Sequence, residues 1–348
     1  MTTAPPVRPA DAAVAEAFFD ALVRADEQAA VDLALGLVDA GTPAQDVLLH
    51  LVGPAQVRVG QLWADGDWSV AQEHAATCIN ERVVAAVGVR SRAPGQRGHV
   101  VLGCLDGEWH SLPARIAGEV LRLAGWRVTF LGASVPPAHL ISYLHEHGPD
   151  LVAVSCALPI HLPQAHRTIA AAQRTGTPVL AGGPGFGPDG RWAVRLGVDA
   201  WVPTAADAVV LLESPSWSDR AVPGRTADGG SEYAGLRDRR AELVRAALDR
   251  LGGASPLADP DGSGGGNGLD GQAHDDVGQL VDYLAAAVYL CDADLFTEHV
   301  RWLGAVLSAR GLPRTGVAVV LDVLAAELHD FPVAQRCLRE GCDVLAAV

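Results

Sequence analysis

The chain contains no lysine: all 26 of its basic residues are arginines, set against 41 acidic residues for a formal net charge of −15. No run of basic residues interrupts this balance, so the sequence lacks the electrostatic footprint of a nucleic-acid binder and is equally ill suited to an anionic membrane surface. Long apolar runs are missing too. No segment approaches the ~20 residues a spanning helix needs, and the N-terminal stretch MTTAPPVRPADAAVAEAFFDALVRADE places acids where a signal peptide needs an apolar core. The six cysteines (Cys78, Cys104, Cys156, Cys291, Cys337, Cys342) show no paired metal spacing, which points to free thiols in a reducing cytoplasm.

Hydrophobic residues make up 49% of the 348 positions and charged residues 19%, which permits sizeable cores and excludes wholesale disorder. At roughly 150 residues per domain, the length predicts two or three domains. Residues 12–92 carry apolar positions at helical spacing in four stretches, Ala12–Arg24, Gln28–Ala40, Pro43–Leu62 and Val70–Val89. Thr42 reads as an N-cap with Pro43 at the first helical position, and Ser69 as the N-cap of the last stretch. A four-helix bundle is expected. From His99 the period shortens: HVVLGCL, WRVTFLG, LVAVSCAL, PVLAG and AWVP are β-branched runs separated by helical stretches near 112–124, 137–147, 162–175 and 188–196. Over residues 97–213 this alternation predicts a doubly wound, parallel, Rossmann-like α/β sheet, whose ligand site lies at the carboxyl ends of the strands. Residues 214–275 are rich in Gly, Pro, Ser and Asp and read as linker, broken by one amphipathic helix with a stripe through Leu236, Leu243, Ala247 and Leu251. Residues 276–348 are helical again.

Two constellations carry chemistry. The first strand runs into Asp106-Gly107-Glu108-Trp109-His110-Ser111-Leu112-Pro113. His110 can ligate a metal through one ring nitrogen while Glu108 or Asp106 holds the other, or it is a solvated loop histidine. In the bundle, Trp63 is followed after nine residues by Glu73-His74. Trp63 ends one helix and Glu73-His74 opens the next, so the three meet at one end of the bundle, either capping a flat ligand or simply packing a helix end.

A helical bundle followed by an α/β domain whose first loop holds Glu-x-His resembles the cobalamin-binding module. The family's Asp/Glu-x-His-x-x-Gly motif, its Ser at the end of the third strand and its Gly-Gly after the fourth are matched by Glu108-Trp109-His110, Ser155 and Gly182-Gly183. The resemblance implies that His110 is the lower axial ligand of cobalt. It also implies that the cofactor's tail runs past Ser155, Ala157, Leu158, Gly182 and Gly183, with Asp106, Ser111 and Leu112 nearby. Pro113 stands at the motif's usual glycine, a change that a first helical turn tolerates.

The Trp-x9-Glu-His motif further resembles the cap of the light-sensing adenosylcobalamin photoreceptors of the CarH type, implying that Trp63, Glu73 and His74 contact the adenosyl group. Some members place a histidine directly after the tryptophan; here that residue is Ala64. Only about eleven residues precede the first helix, too few for the DNA-binding domain such photoreceptors carry.

A cobalamin cap and sheet joined to a C-terminal helical domain resembles the photocobilins, which pair adenosylcobalamin with biliverdin. On that resemblance, Tyr283, Tyr289, His299, Arg301 and Trp302 are candidates for a noncovalent bilin pocket; read as residues alone, they suit a structural domain or a dimer surface. The expectation is therefore a cytoplasmic light sensor, not an enzyme, acting as a homo-oligomer (a dimer above all) with a downstream protein partner, no nucleic acid and no membrane. The alternative is a corrinoid carrier for methyl transfer.

Overall fold

Asp11 starts the first helix by accepting the Ala13 N–H at 3.0 Å, and Asp26 does the same for the next by accepting Ala29 N–H at 3.0 Å. These caps open α1 (Ala12–Val23) and α2 (Glu27–Asp39) of a computed structural model that describes residues 11–91, 95, 97–214, 230–252 and 269–347. The helix expected over Pro43–Leu62 is instead broken: α3 (Ala44–Val47) leads through a π-helical turn at Leu48–Val52 into α4 (Gly53–Asp65). Pro54 explains the break, because it has no N–H to offer the preceding turn and its ring crowds the carbonyl one turn back. Pro43, not Thr42, takes the N-cap position of α3. Gly66, left-handed at φ 85°, stops α4, and Ser69 opens α5 (Val70–Arg90) with a capping box to Gln72.

The expected sheet forms. The strands are β1 (His99–Cys104), β2 (Arg127–Gly132), β3 (Leu151–Ser155), β4 (Val179–Gly182) and β5 (Ala200–Val202), interleaved with α6 (Ser111–Leu123), α7 (Pro137–His147), α8 (Leu162–Arg174), α9 (Arg191–Arg195) and α10 (Ala205–Glu213). The five-stranded sheet has the order β2-β1-β3-β4-β5 and every pairing is parallel. Strand order reverses between β1 and β3, so the loops leaving these two strands splay apart over the switch point, where ligands of such sheets bind. Helix α10 is absent from the sequence expectation, and α9 is shorter than the stretch expected over 188–196.

The bundle and the sheet domain share a core. Phe18, Leu48, Val52, Val83 and Val87 from the bundle cluster with Leu112, Ile116 and Val120 of α6. On the other side of α6, Val100, Leu102, Leu151, Ala153 and Leu180 of the strands pack with Leu121, Ala208 and Leu212. Helix α6 is thus buried on two faces and ties the cap to the sheet.

The described chain divides into two units, Met1–Ala157 with Gln164–Gly224, and Leu158–Pro163 with Arg225–Val348. The second unit holds α11 (Gly230–Arg250), α12 (Leu269–Leu290), α13 (Ala293–Ala309), α14 (Thr315–Glu327) and α15 (Pro332–Ala347). The amphipathic helix expected inside the linker is α11: Leu236, Leu243, Val244 and Ala247 are buried, and the helix packs on α12 and α14 as an integral part of this unit. The remaining linker residues, 215–229 and 253–268, lie outside the described residues. Among the described residues no helix is long and apolar enough to cross a membrane.

Phe18 is fully enclosed in the bundle core. Phe18→Ala is expected to cost about 3–5 kcal/mol, read as a lower denaturant midpoint for the N-terminal unit.

Candidate functional site

The site is organised by a buried carboxylate. After β1 the chain turns through Gly107 (φ 84°), and Glu108 swings inward until it is fully buried. Its Oε2 accepts the Ala157 N–H at 2.7 Å from the loop after β3, and its Oε1 accepts the His110 N–H at 2.9 Å. The same Oε1 lies 2.6 Å from His110 Nδ1. A carboxylate only accepts, so Nδ1 carries the proton and Nε2 is the nitrogen left to bind a metal. The His110 side chain is 57% exposed. Its pKa is raised, first by the hydrogen bond to Glu108 and against the opposing effect of burial; the charges of Glu108 and of Glu73 add to the rise. The neighbouring Cys104 thiol is pushed up to about 12 by burial and by Glu108, so it stays protonated. Trp109, between the two motif residues, is 74% exposed. Asp106 is half-buried on the same loop.

Beside this loop a cleft of ≈ 190 Å³ opens over the sheet between α6 and α10. Register explains the hollow. One row of the sheet reads Leu102–Ala153–Leu180, and two residues further on the same face reads Cys104–Ser155–Gly182–Val202. Side chains shrink to Ser and Gly in this last row, while Ala114, Ala117, Ala205 and Ala208 line the helix side. The space exceeds the ~150 Å³ cavity known to admit a benzene ring, so its apolar walls fit a flat aromatic tail.

The two glycines have different reasons. A Cβ on Gly183 would lie 2.3 Å from the Cys156 carbonyl oxygen, and its φ is +103°, so its own backbone neighbours already require glycine. A Cβ on Gly182 would meet nothing closer than Val202 O at 3.8 Å and would instead enter the cleft. Both glycines line the cleft, and Gly183 has in addition a backbone reason of its own. Two other expected contacts turn elsewhere. Leu112 is buried in the bundle core, and Ser111 Oγ donates to Glu81 Oε1 of α5 at 2.8 Å. Ser155 lines the cleft, Ala157 serves through its backbone N–H, and Leu158 groups with the second unit.

On the cap, Trp63 is half-buried in the last turn of α4. His74 Nδ1 lies 2.6 Å from Glu73 Oε2, repeating the carboxylate–imidazole pairing seen at His110. Sequence reading missed the polar side chains behind this pair, Gln56, Thr77 and Asn80, because they sit on two helices and only the fold joins them.

In the second unit the structure brings three of the five candidates together. Tyr283 and His299 stack at 3.5 Å with a 5° interplanar angle, and Trp302 lies 5.7 Å from the His299 ring. His299 is buried, its Nε2 has no hydrogen-bond partner, and burial lowers its pKa to about 3. Tyr289 pairs edge-on with Tyr233 instead, at 4.8 Å, and Arg301 is exposed.

Comparison with known proteins agrees with this geometry. Residues 98–213 match the family described as B12 binding domain, and residues 14–87 match a second family of the same description. A corrinoid protein of Desulfitobacterium hafniense is 28% identical over 204 residues, spanning 55% of this chain and 92% of that protein. The HTH-type transcriptional repressor CarH of Myxococcus xanthus is 30% identical over 168 residues, 47% of this chain but only 55% of the repressor. The monomethylamine corrinoid protein of Methanosarcina barkeri shares the fold of the N-terminal part, with a TM-score of 0.51 at 19% identity over 56% of this chain and 95% of that one. The B12 binding domains indicate a corrinoid cofactor for the first unit, and the single imidazole, the cradle of small residues and the apolar cleft fit one.

Gly182→Val places a side chain in the cleft without backbone strain. It is expected to weaken cobalamin binding by about tenfold or more in an equilibrium titration, while the unfolding midpoint holds. For His299 the folded pKa of about 3 lies below the unfolded value of 6.5, so the unfolded chain takes up the extra proton between them. Stability is therefore lost as pH falls from about 6.5 towards 3, with a limiting slope of about 1.4 kcal/mol per pH unit. Denaturation midpoints at pH 7 and 4.5 should fall less in His299→Phe than in the parent.

Proposed function

We propose that the first unit holds adenosylcobalamin between the helical cap and the carboxyl end of the sheet and acts as a light sensor, not as an enzyme. The observation that carries this reading is the pair of carboxylate–imidazole units, Glu108–His110 on the sheet and Glu73–His74 on the cap, with the charge of Glu73 reaching His110. Adenosylcobalamin supplies a cobalt–carbon bond that light breaks. Glu108 fixes His110 so that Nε2 would be the nitrogen that holds the cobalt, and the cleft at Ser155 and Gly182 would receive the nucleotide tail. Trp63, Glu73 and His74 read the upper ligand. Those cap contacts exist only while the adenosyl group is in place, which is the differential interaction a two-state switch requires. The 30% identity to the repressor CarH and the resemblance of the Trp63-x9-Glu73-His74 motif support this reading.

A second reading, a corrinoid carrier for methyl transfer, is favoured by the match that spans 92% of the Desulfitobacterium corrinoid protein. The cap motif tips the balance towards the sensor.

Biliverdin is the proposed second chromophore. The stack of Tyr283, His299 and Trp302, with a buried imidazole nitrogen lacking a partner, supports a planar ligand in the second unit. Arg301 is a cation within reach in sequence, though it faces solvent. With a net charge of −15 and no lysine, a cytoplasmic homo-oligomer, a dimer in the first instance, passing its signal to another protein suits the surface better than DNA or a membrane.

Protein loaded with adenosylcobalamin should change its visible spectrum and its oligomeric state under green light; an unchanged spectrum overturns the sensor reading. His110→Ala should lose the histidine-ligated spectrum in the dark, and a parental spectrum in that variant would mean the axial ligand is another group. Added biliverdin should produce a red absorption band that His299→Phe weakens.

A further inference from the structure

Behind the Glu73–His74 pair lies a polar ladder inside the helical cap. Asn80 Nδ2 donates to Gln56 Oε1 at 2.8 Å, Gln56 Nε2 donates to Thr77 Oγ1 at 2.8 Å, and Thr77 Oγ1 donates to Glu73 Oε1 at 2.8 Å. The direction of every bond is forced from one end. Glu73 as a carboxylate has no proton to give, so Thr77 must donate to it. The threonine hydroxyl then has only lone pairs left for Gln56, so the amide NH₂ must face it and the amide oxygen must face Asn80. The leftover acceptor should then appear at the far end, and it does: Asn80 is fully buried and its Oδ1 has no partner.

Only the Asn80 end of the ladder is fully buried; Gln56, Thr77 and Glu73 are partly exposed. At that buried end an apolar side chain would leave no unmet carbonyl, so the polar residue there is not explained by packing. Thr77 and Val are nearly isosteric, so the hydroxyl is not there to fill space. The ladder also crosses from α5 to α4, the helix that carries Trp63.

We propose that Thr77 and Gln56 are positioning residues for the upper-ligand site: the ladder aims the Glu73 carboxylate, and through it the ring of His74, and locks both to the helix of Trp63, so that the cap discriminates adenosylcobalamin from corrinoids with a smaller upper ligand. This rests on the reading that the cap contacts the adenosyl group. Glu73 Oε1 is occupied by the ladder, leaving Oε2 for His74 Nδ1. His74 Nδ1 is thereby held by Glu73, and Nε2 is left on a side chain that is 73% exposed. Removing the hydroxyl frees the carboxylate to rotate, and the histidine ring loses its fixed orientation.

The test is a dark titration of the full chain with adenosylcobalamin and, in parallel, with methylcobalamin, followed by absorbance. In Thr77→Val the affinity for adenosylcobalamin should fall about tenfold while that for methylcobalamin is unchanged, with no loss in Tm; Thr77→Ser should restore the parental value. Gln56→Met breaks the ladder from the other helix and should reproduce the same selective loss. Combined with Thr77→Val it should add little, because both cut one chain of bonds. Equal weakening of both corrinoids, or no change in either, overturns the positioning role. If the parent itself binds the two corrinoids alike, the cap does not read the upper ligand, and the sensor reading fails at that point independently of the ladder.

Discussion

Glu108 has no surface exposed to solvent, and the geometry around the site follows from meeting its carboxyl group with donors there. A buried carboxylate is tolerated only when its lone pairs are met by donors. Two of those donors are backbone N–H groups, from Ala157 after β3 and from His110 in its own loop. The Glu108 carboxyl group therefore pins together the two loops that diverge at the switch in strand order. The imidazole it holds is the one group in this network that looks outward, which makes a structural requirement and a ligand site the same object. Ser134 reinforces the arrangement: its hydroxyl accepts the Gly107 N–H at 3.0 Å and its N–H donates to Glu108 O at 2.9 Å, fixing the loop from the β2 side.

The cap enters through α6. Because α6 begins one residue after His110 and is buried against both bundle and sheet, a displacement of the bundle acts on the helix whose first turn follows His110. Ser111 strengthens that link, since its hydroxyl reaches Glu81 on α5, the helix that also carries Glu73. Rigid helices and a shared apolar core transmit displacement; they do not decide its direction. The decision lies with the polar groups at the bundle's end, where burial is incomplete and a bound group can add or remove contacts worth comparing with the few kcal/mol that separate two packings.

Much of this was legible in the sequence because period is a local property. The change from helical spacing before Arg90 to β-branched runs after His99 located the helical bundle and the sheet, and the Glu108-x-His110 and Glu73-His74 pairs, singled out by their spacing, each form a carboxylate–imidazole contact. What was not legible depended on geometry between distant residues. The π turn at Leu48–Val52 breaks a sequence that reads as one helix, with Pro54 the only cue. Leu112 sits in a motif that points to the ligand, yet its side chain belongs to the bundle core. Gly182 and Gly183 look equivalent as letters, and only the approach of Cys156 O to the second separates them. Gln56 and Thr77 are 21 positions apart, and nothing in either neighbourhood announces a shared bond.

The second unit poses the same physical question as the first and resolves it differently. Glu108 gives His110 a partner and its pKa rises, whereas His299 has aromatic faces on its ring, no partner for Nε2, and a pKa driven down by burial alone. An imidazole kept neutral in an apolar sandwich gives up solvation without the compensation a carboxylate provides. Tyr283 and Trp302 recover part of that through ring stacking, but stacking satisfies faces and leaves the edge unmet. A protein that needed only to fill the space would do so more cheaply with a leucine or phenylalanine. The unmet polar edge there is the physical reason to seek a ligand with a complementary acceptor or donor in the second unit, independent of any resemblance of the chain's layout.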